Sequence, residues 1–229
     1  MNSQTITREQ LCKLFDHTNL KAFADKEMFE TLCKEAADGH FAMVAINSSP
    51  VALCKRLLKN TDVHVGAAIS FPLGQTTTAV KVFEAEDAIA NGADEIDYVI
   101  NVGEAKMGNW QYIRSEMEAM VAVCRKGGAL CKVIFEICYL TMDEIRAIAK
   151  IARDVRPDFI KTSTGFGTSG ATVEAVKLMK DTVGDAVKVK AAGGIRDWAT
   201  CAAMIDAGAE RIGTSSSLKI LAEFDAAHK

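Results

Sequence analysis

Asp158-Phe159-Ile160-Lys161-Thr162-Ser163-Thr164-Gly165 is a short run with an apolar start, bounded by Pro157 before it and closed by Gly165. Such a run reads as one buried strand. Side chains alternate along a strand, so Phe159 and Lys161 share one face and Ile160 takes the other. In a closed barrel Lys161 then points into the interior near the strand's C-terminal end. An ammonium is costly to bury and tends either to pair or to lose its proton. The plainer alternative is a lysine whose stem packs while its head reaches an acid or solvent.

Outward from this stretch, short apolar strands alternate with amphipathic helices about eight times. Strands are expected at 15–18, 41–47, 63–69, 95–100, 130–136, 158–165, 186–190 and 210–213. Helices are expected at 25–37, 50–58, 76–90, 110–126, 141–154, 172–183 and 197–207, with a last one from Ser215. Thr7-Arg8-Glu9-Gln10 has the form of a capping box and opens an extra N-terminal helix ahead of the first strand. This rhythm implies parallel strands with crossover helices, closed into a (β/α)8 TIM barrel. A doubly wound open sheet is the structural rival, but no GxGxxG turn follows the first strand. No linker or second composition regime appears, so residues 1–229 are expected to form a single domain.

The formal net charge is −3 with no basic stripe, which does not indicate a nucleic-acid surface. No apolar run approaches the roughly 20 residues of a membrane helix. The N-terminus lacks a positive segment followed by an apolar one, so a soluble, cytoplasmic protein is expected. The seven cysteines include no CxxC pair and read as reduced core thiols. The four histidines have no metal-ligand spacing, so neither metal nor cofactor is expected.

Charged residues interrupt strands that should be apolar, near the end where such barrels keep their chemistry. They are Asp16, Asp97, Glu136, Lys161 and Lys190. The same alternation puts Lys188 inward one layer lower, where Glu95 or Glu136 is expected to balance it. Internal salt bridges account for any one of these residues alone. Two lysines ending adjacent strands are harder to explain that way, because like charges ~4 Å apart cost about 4 kcal/mol at an effective dielectric near 20. That repulsion is roughly three pKa units, enough to bring one amine toward neutrality as a nucleophile. Asp97 is then suited to moving protons. Glycine-rich turns follow the seventh and eighth strands, at Ala191-Ala192-Gly193-Gly194 and Gly213-Thr214-Ser215-Ser216-Ser217. Barrels commonly hold phosphate with these two loops and a helix N-terminus, and ordinary Ser-capped turns are the alternative. Arg196 is expected either to add positive field there or to be an ordinary surface residue.

These residues resemble the deoxyribose-phosphate aldolase family. FIKTSTGFG around Lys161, VKVKAAGGIR around Lys190, ADEIDYVIN around Asp97 and RIGTSSS from Arg211 carry the likeness. DHTNL from Asp16 and SFPLG from Ser70 are similar as well, so it runs from Asp16 to Ser216. The resemblance implies a class I, metal-independent lyase cleaving 2-deoxy-D-ribose 5-phosphate reversibly to D-glyceraldehyde 3-phosphate and acetaldehyde, in deoxyribose catabolism. It implies that Lys161 forms the Schiff base, that Asp97 and Lys190 move protons, and that Lys190 lowers the pKa of Lys161. It further implies phosphate contacts from Gly165, Gly193, Gly194, Gly213, Ser215 and Ser216, with Asp16 and Thr18 lining the pocket. Two positions depart from the pattern: Ala45 stands where many relatives carry a cysteine, and Ser217 where the last loop usually has glycine. A transaldolase-like imine enzyme and a non-catalytic sugar-phosphate barrel are the rival readings. Surface helices offer room for a homodimer, although no helix stands out as an interface.

Overall fold

The computed structural model describes residues 2–228. In chain order the first elements are α1 (Arg8–Cys12), β1 (Phe15–Thr18), α2 (Lys26–Asp38), β2 (Met43–Asn47), α3 (Val51–Leu57) and β3 (His64–Ile69). Next come α4 (Thr78–Ala90), β4 (Glu95–Val99), α5 (Val102–Lys106), α6 (Trp110–Gly127), β5 (Leu130–Ile134) and a 3₁₀ turn at Ile137–Tyr139. The chain ends with α7 (Met142–Val155), β6 (Phe159–Lys161), α8 (Val173–Val183), β7 (Lys188–Ala192), α9 (Trp198–Asp206), β8 (Arg211–Thr214) and α10 (Ser217–Ala227). The eight strands are parallel and close on themselves, β8 pairing with β1 through Phe15 opposite Ile212. The architecture is thus the expected (β/α)8 barrel with an extra N-terminal helix. No helix among the described residues is long and apolar enough to cross a membrane.

Local chemistry sets the element boundaries. Thr7 and Gln10 form the reciprocal capping box of α1, and Thr141 with Glu144 does the same for α7. The α5 turn was not expected, although Asn101 caps it by accepting from the Glu104 N–H, an Asn-x-x-Glu signal readable in the sequence. Outward-facing Val44, Ile46, Val65, Ile69, Ile96, Val133, Ile160, Val189 and Ile212 are buried under the helices. Burying each such side chain contributes about 1.5–3 kcal/mol, which holds the helix ring on the barrel. The inward positions are where charge has been placed.

Several boundaries differ from expectation, and three of them bear on the site. β5 stops at Ile134, and Glu136 lies beyond it in the left-handed region at φ 44°. Ladder pairing of β6 covers 159–161 only, because the Thr162 hydroxyl bridges sideways, donating to the Ala192 carbonyl at 3.0 Å and accepting from its N–H at 3.1 Å. α10 begins at Ser217 rather than Ser215, since the Ser216 N–H is taken by Thr214 Oγ1 at 2.9 Å. That turn leaves Ser215 in the loop.

Candidate active site

Strand register brings the charged side chains together. Lys161 on β6 is paired with Lys190 on β7, and Asp97 on β4 with Lys132 on β5. Asp97 Oδ2 accepts from Lys190 Nζ at 2.6 Å and from Lys161 Nζ at 3.1 Å, while its Oδ1 takes Lys132 Nζ at 2.6 Å. Below, Lys132 also pairs with Glu95, and Lys190 with Asp16. Arg211 closes the cluster, reaching Asp16 Oδ1 at 2.6 Å and Glu95 Oε1 at 3.0 Å. His64 joins Glu95 from the solvent side at 2.8 Å. Gly213 makes room for this packing, because a Cβ there would lie 3.1 Å from Lys190 Cε and 2.9 Å from Ala192 Cβ.

Three interior carboxylates (Asp16, Glu95, Asp97) therefore face four formally cationic side chains (Lys132, Lys161, Lys190, Arg211). Lys161 is the least paired of the four, with one carboxylate contact shared with Lys190. Burial comes first in pulling its pKa down to about 8, Lys190 adds repulsion, and Asp97 only partly opposes them. Burial alone would raise the Asp97 carboxyl, but Lys132, Lys190 and Lys161 together hold it well below the usual range. The sequence reading put lysine–lysine repulsion first. In the structure desolvation comes first, because the Lys161 side chain is buried inside the barrel, and repulsion from Lys190 comes second.

A cavity of about 210 Å³ opens above Lys161, walled by Thr18, Lys21, Gly165, Gly193, Gly194, Gly213, Ser215 and Arg196. Lys161 is the one member of the four cations that lines it, and no carboxylate does. The backbone at Gly193 and Gly194 has φ of 89° and 80°, which turns the chain after β7 in a way side chains resist. Space is equally tight there: the Gly193 Cα sits 2.9 Å from where a Gly170 Cβ would be. A larger cavity, about 790 Å³, lies at the other end of the barrel around Lys55, Asp62, His64 and Asp94. That end carries the N-termini of β3 and β4, away from the amine.

The structure places several sequence-named residues differently. Asp16 is fully buried under the cavity and pairs with Lys190 and Arg211 instead of lining the wall. Ser216 also lies outside the wall, as the N-cap of α10. Lys188 has no acid partner among the described residues; it is exposed and sits 5.6 Å over the Phe159 ring, which Arg211 also covers at 5.2 Å. Glu136 is buried and accepts from the Thr164 N–H at 3.2 Å and from its hydroxyl, which pins the loop after β6. Ala45 is buried on β2 opposite Thr18. Lys132, Arg211 and Lys21 received no role in the sequence reading. Lys132 carried the same signal as Asp97, a charge inside an apolar strand, in Leu130-Cys131-Lys132-Val133-Ile134.

Comparison with known proteins agrees with this architecture. The profile of the DeoC/LacD family of aldolases matches residues 11–223. A deoxyribose-phosphate aldolase of Lactobacillus acidophilus is 56% identical over 93% of this chain and 90% of its own. One from Bacteroides thetaiotaomicron is 53% identical over the same shares. The deoxyribose phosphate aldolase of Aeropyrum pernix, described as tetrameric, superposes with a TM-score of 0.90 at 29% identity, covering 96% of this chain and 93% of its own. A closed parallel barrel, the lysine motifs in order and identity above one half over most of its length make this chain a member of the DeoC/LacD aldolase family.

Proposed function

We propose that this chain is a single aldolase domain that cleaves 2-deoxy-D-ribose 5-phosphate reversibly to D-glyceraldehyde 3-phosphate and acetaldehyde through an imine at Lys161. The observation that carries the reading is one amine at the floor of the cavity, with its pKa pulled down to about 8 and its single carboxylate contact shared. The neutral Nζ attacks C1 of the open-chain sugar, and loss of water from the carbinolamine leaves an iminium. The C2–C3 electron pair then moves toward the iminium nitrogen as the C3 hydroxyl gives up its proton. Glyceraldehyde 3-phosphate departs, and the enamine left on Lys161 takes a proton at C2 before water releases acetaldehyde. Asp97, held ionised, accepts and relays protons, and Lys190 on the same oxygen supplies them.

The phosphate would lie against the glycine-rich wall of Gly165, Gly193, Gly194, Gly213 and Ser215, with Lys21 and Arg196 adding positive field. α10 begins two residues after Ser215, so the positive end of its dipole lies close to that wall. Thr18 faces the sugar, and Asp16 acts on it only through Lys190. A cavity of about 210 Å³ suits a small substrate, being below the roughly 300–1,000 Å³ of drug-sized pockets. Borohydride reduction in the presence of acetaldehyde, followed by peptide mass spectrometry, tests the reading. A stable adduct at Lys161 is expected, and its absence from a protein that still cleaves the sugar would overturn the imine.

A further inference from the structure

His17 lies between Asp16 and Thr18 on β1, so its ring points away from the barrel interior into the layer beneath the helices. It is nearly buried and packs edge-on against Phe41, with ring centroids 5.3 Å apart. Its Nε2 is 2.8 Å from Glu35 Oε2 on α2, and its Nδ1 is 3.0 Å from Ser217 Oγ in the first turn of α10. Burial holds the imidazole below its ordinary range, outweighing the pull of Glu35, so the neutral ring is favoured and carries one N–H. An ionised carboxylate only accepts, which assigns that hydrogen to Nε2 and leaves Nδ1 to accept from the Ser217 hydroxyl. Ser217 is fully buried, so this Ser–His–Glu arrangement does not present a nucleophile.

What it does present is a brace behind the anion-facing loop. His17 is paired across the strands with Thr214, whose hydroxyl accepts from Ser216 N–H and donates to the Ile195 carbonyl at 2.7 Å. Thr214, Ser215 and Ile195 all line the cavity. We propose that Glu35, His17 and Ser217 are positioning residues that fix the first turn of α10, so that Ser215, two residues ahead of it in the cavity wall, meets the substrate phosphate at a set distance. The idea rests on the phosphate placement given above.

The test compares cleavage of 2-deoxyribose 5-phosphate with that of unphosphorylated 2-deoxyribose in wild type, Ser217→Ala, Glu35→Ala and Glu35→Gln. Ser217→Ala and Glu35→Ala are expected to raise KM for the phosphorylated sugar about three- to tenfold, the loss of one or two hydrogen bonds. Their kcat, and kcat/KM for the unphosphorylated sugar, should stay within about twofold. Inhibition by inorganic phosphate should weaken by the same factor as KM. Glu35→Gln keeps an acceptor for Nε2–H and should restore the wild-type KM. If Ser217→Ala does not fold, Glu35→Ala at the half-exposed edge of the brace decides the matter alone. Unchanged KM and phosphate inhibition, or equal losses on both sugars, would overturn the proposal. Should the wild type cleave neither sugar, the aldolase reading fails, and calorimetric binding of inorganic phosphate to the same variants still judges the brace.

Discussion

Lys81 and Lys161 are both buried lysines facing carboxylates, and in both burial pulls the pKa below the ordinary lysine range. Their surroundings separate them. Lys81 on α4 has a carboxylate of its own, Glu116 Oε1 at 2.7 Å, and the Val99 carbonyl at 2.8 Å. The other oxygen of Glu116 accepts from the Asn101 N–H, and neither residue lines the cavity above Lys161. Lys161 shares one oxygen of Asp97 with a second amine and opens onto a cavity. Desolvation is common to both lysines; a divided counter-charge and an open cavity belong to Lys161 alone of the two, and the proposed imine chemistry rests on them.

The largest effect that would sharpen this contrast is at Lys161. Lys161→Arg keeps a cation at the site but removes any neutral amine, and kcat is expected to fall on the order of 10⁴-fold or more with the fold retained. Steady-state assay with circular dichroism checks this, and near wild-type turnover would break the comparison. Lys81→Met should do the reverse: it leaves Glu116 buried alone and is expected to cost about 3–5 kcal/mol of stability in denaturant unfolding. Replacing both partners, Lys81→Met with Glu116→Leu, should recover much of that loss while the folded fraction keeps its kcat.

A smaller effect concerns pH. Imine formation needs the neutral amine, so the initial rate of acetaldehyde trapping should rise about tenfold per pH unit below 8 and level off above it. Lys190→Met removes a positive neighbour and frees Asp97 for Lys161 and Lys132. That raises the pKa of Lys161, so the same curve should shift to higher pH by about one unit. A shift to lower pH would contradict the charge assignment. The smallest expected effect is from exhaustive chelation, which should leave cleavage unchanged when assayed before and after dialysis against EDTA.

Much of this was legible in the chain because period and punctuation agree. Alternating strands of three to six residues with capped helices define a barrel almost by themselves. Lys161, Lys190 and Asp97 were visible as charges in apolar strands. The pairing among them was not, since which carboxylate meets which amine depends on strand stagger around a closed sheet. Hence Asp16 was placed in the wall when it belongs beneath it, and Lys188 was given an acid when it rests on an aromatic face. Lys132 was passed over even though its signal matched that of Asp97. Glu136 was visible as a charge but was placed at the end of the fifth strand; it lies beyond β5 in a left-handed backbone and holds Thr164 across the loop, a contact its neighbours in sequence do not announce.

The unequal tally of interior charges has a consequence for the order of events. With nitrogen 161 neutral, three anions and three cations balance. On the proposed mechanism, an iminium at that nitrogen would give the pocket an uncompensated positive charge on the very atom that must receive electrons. A covalent adduct formed there would sit under electrical tension, relaxed only when the carbon–carbon bond gives way and its electron pair flows inward.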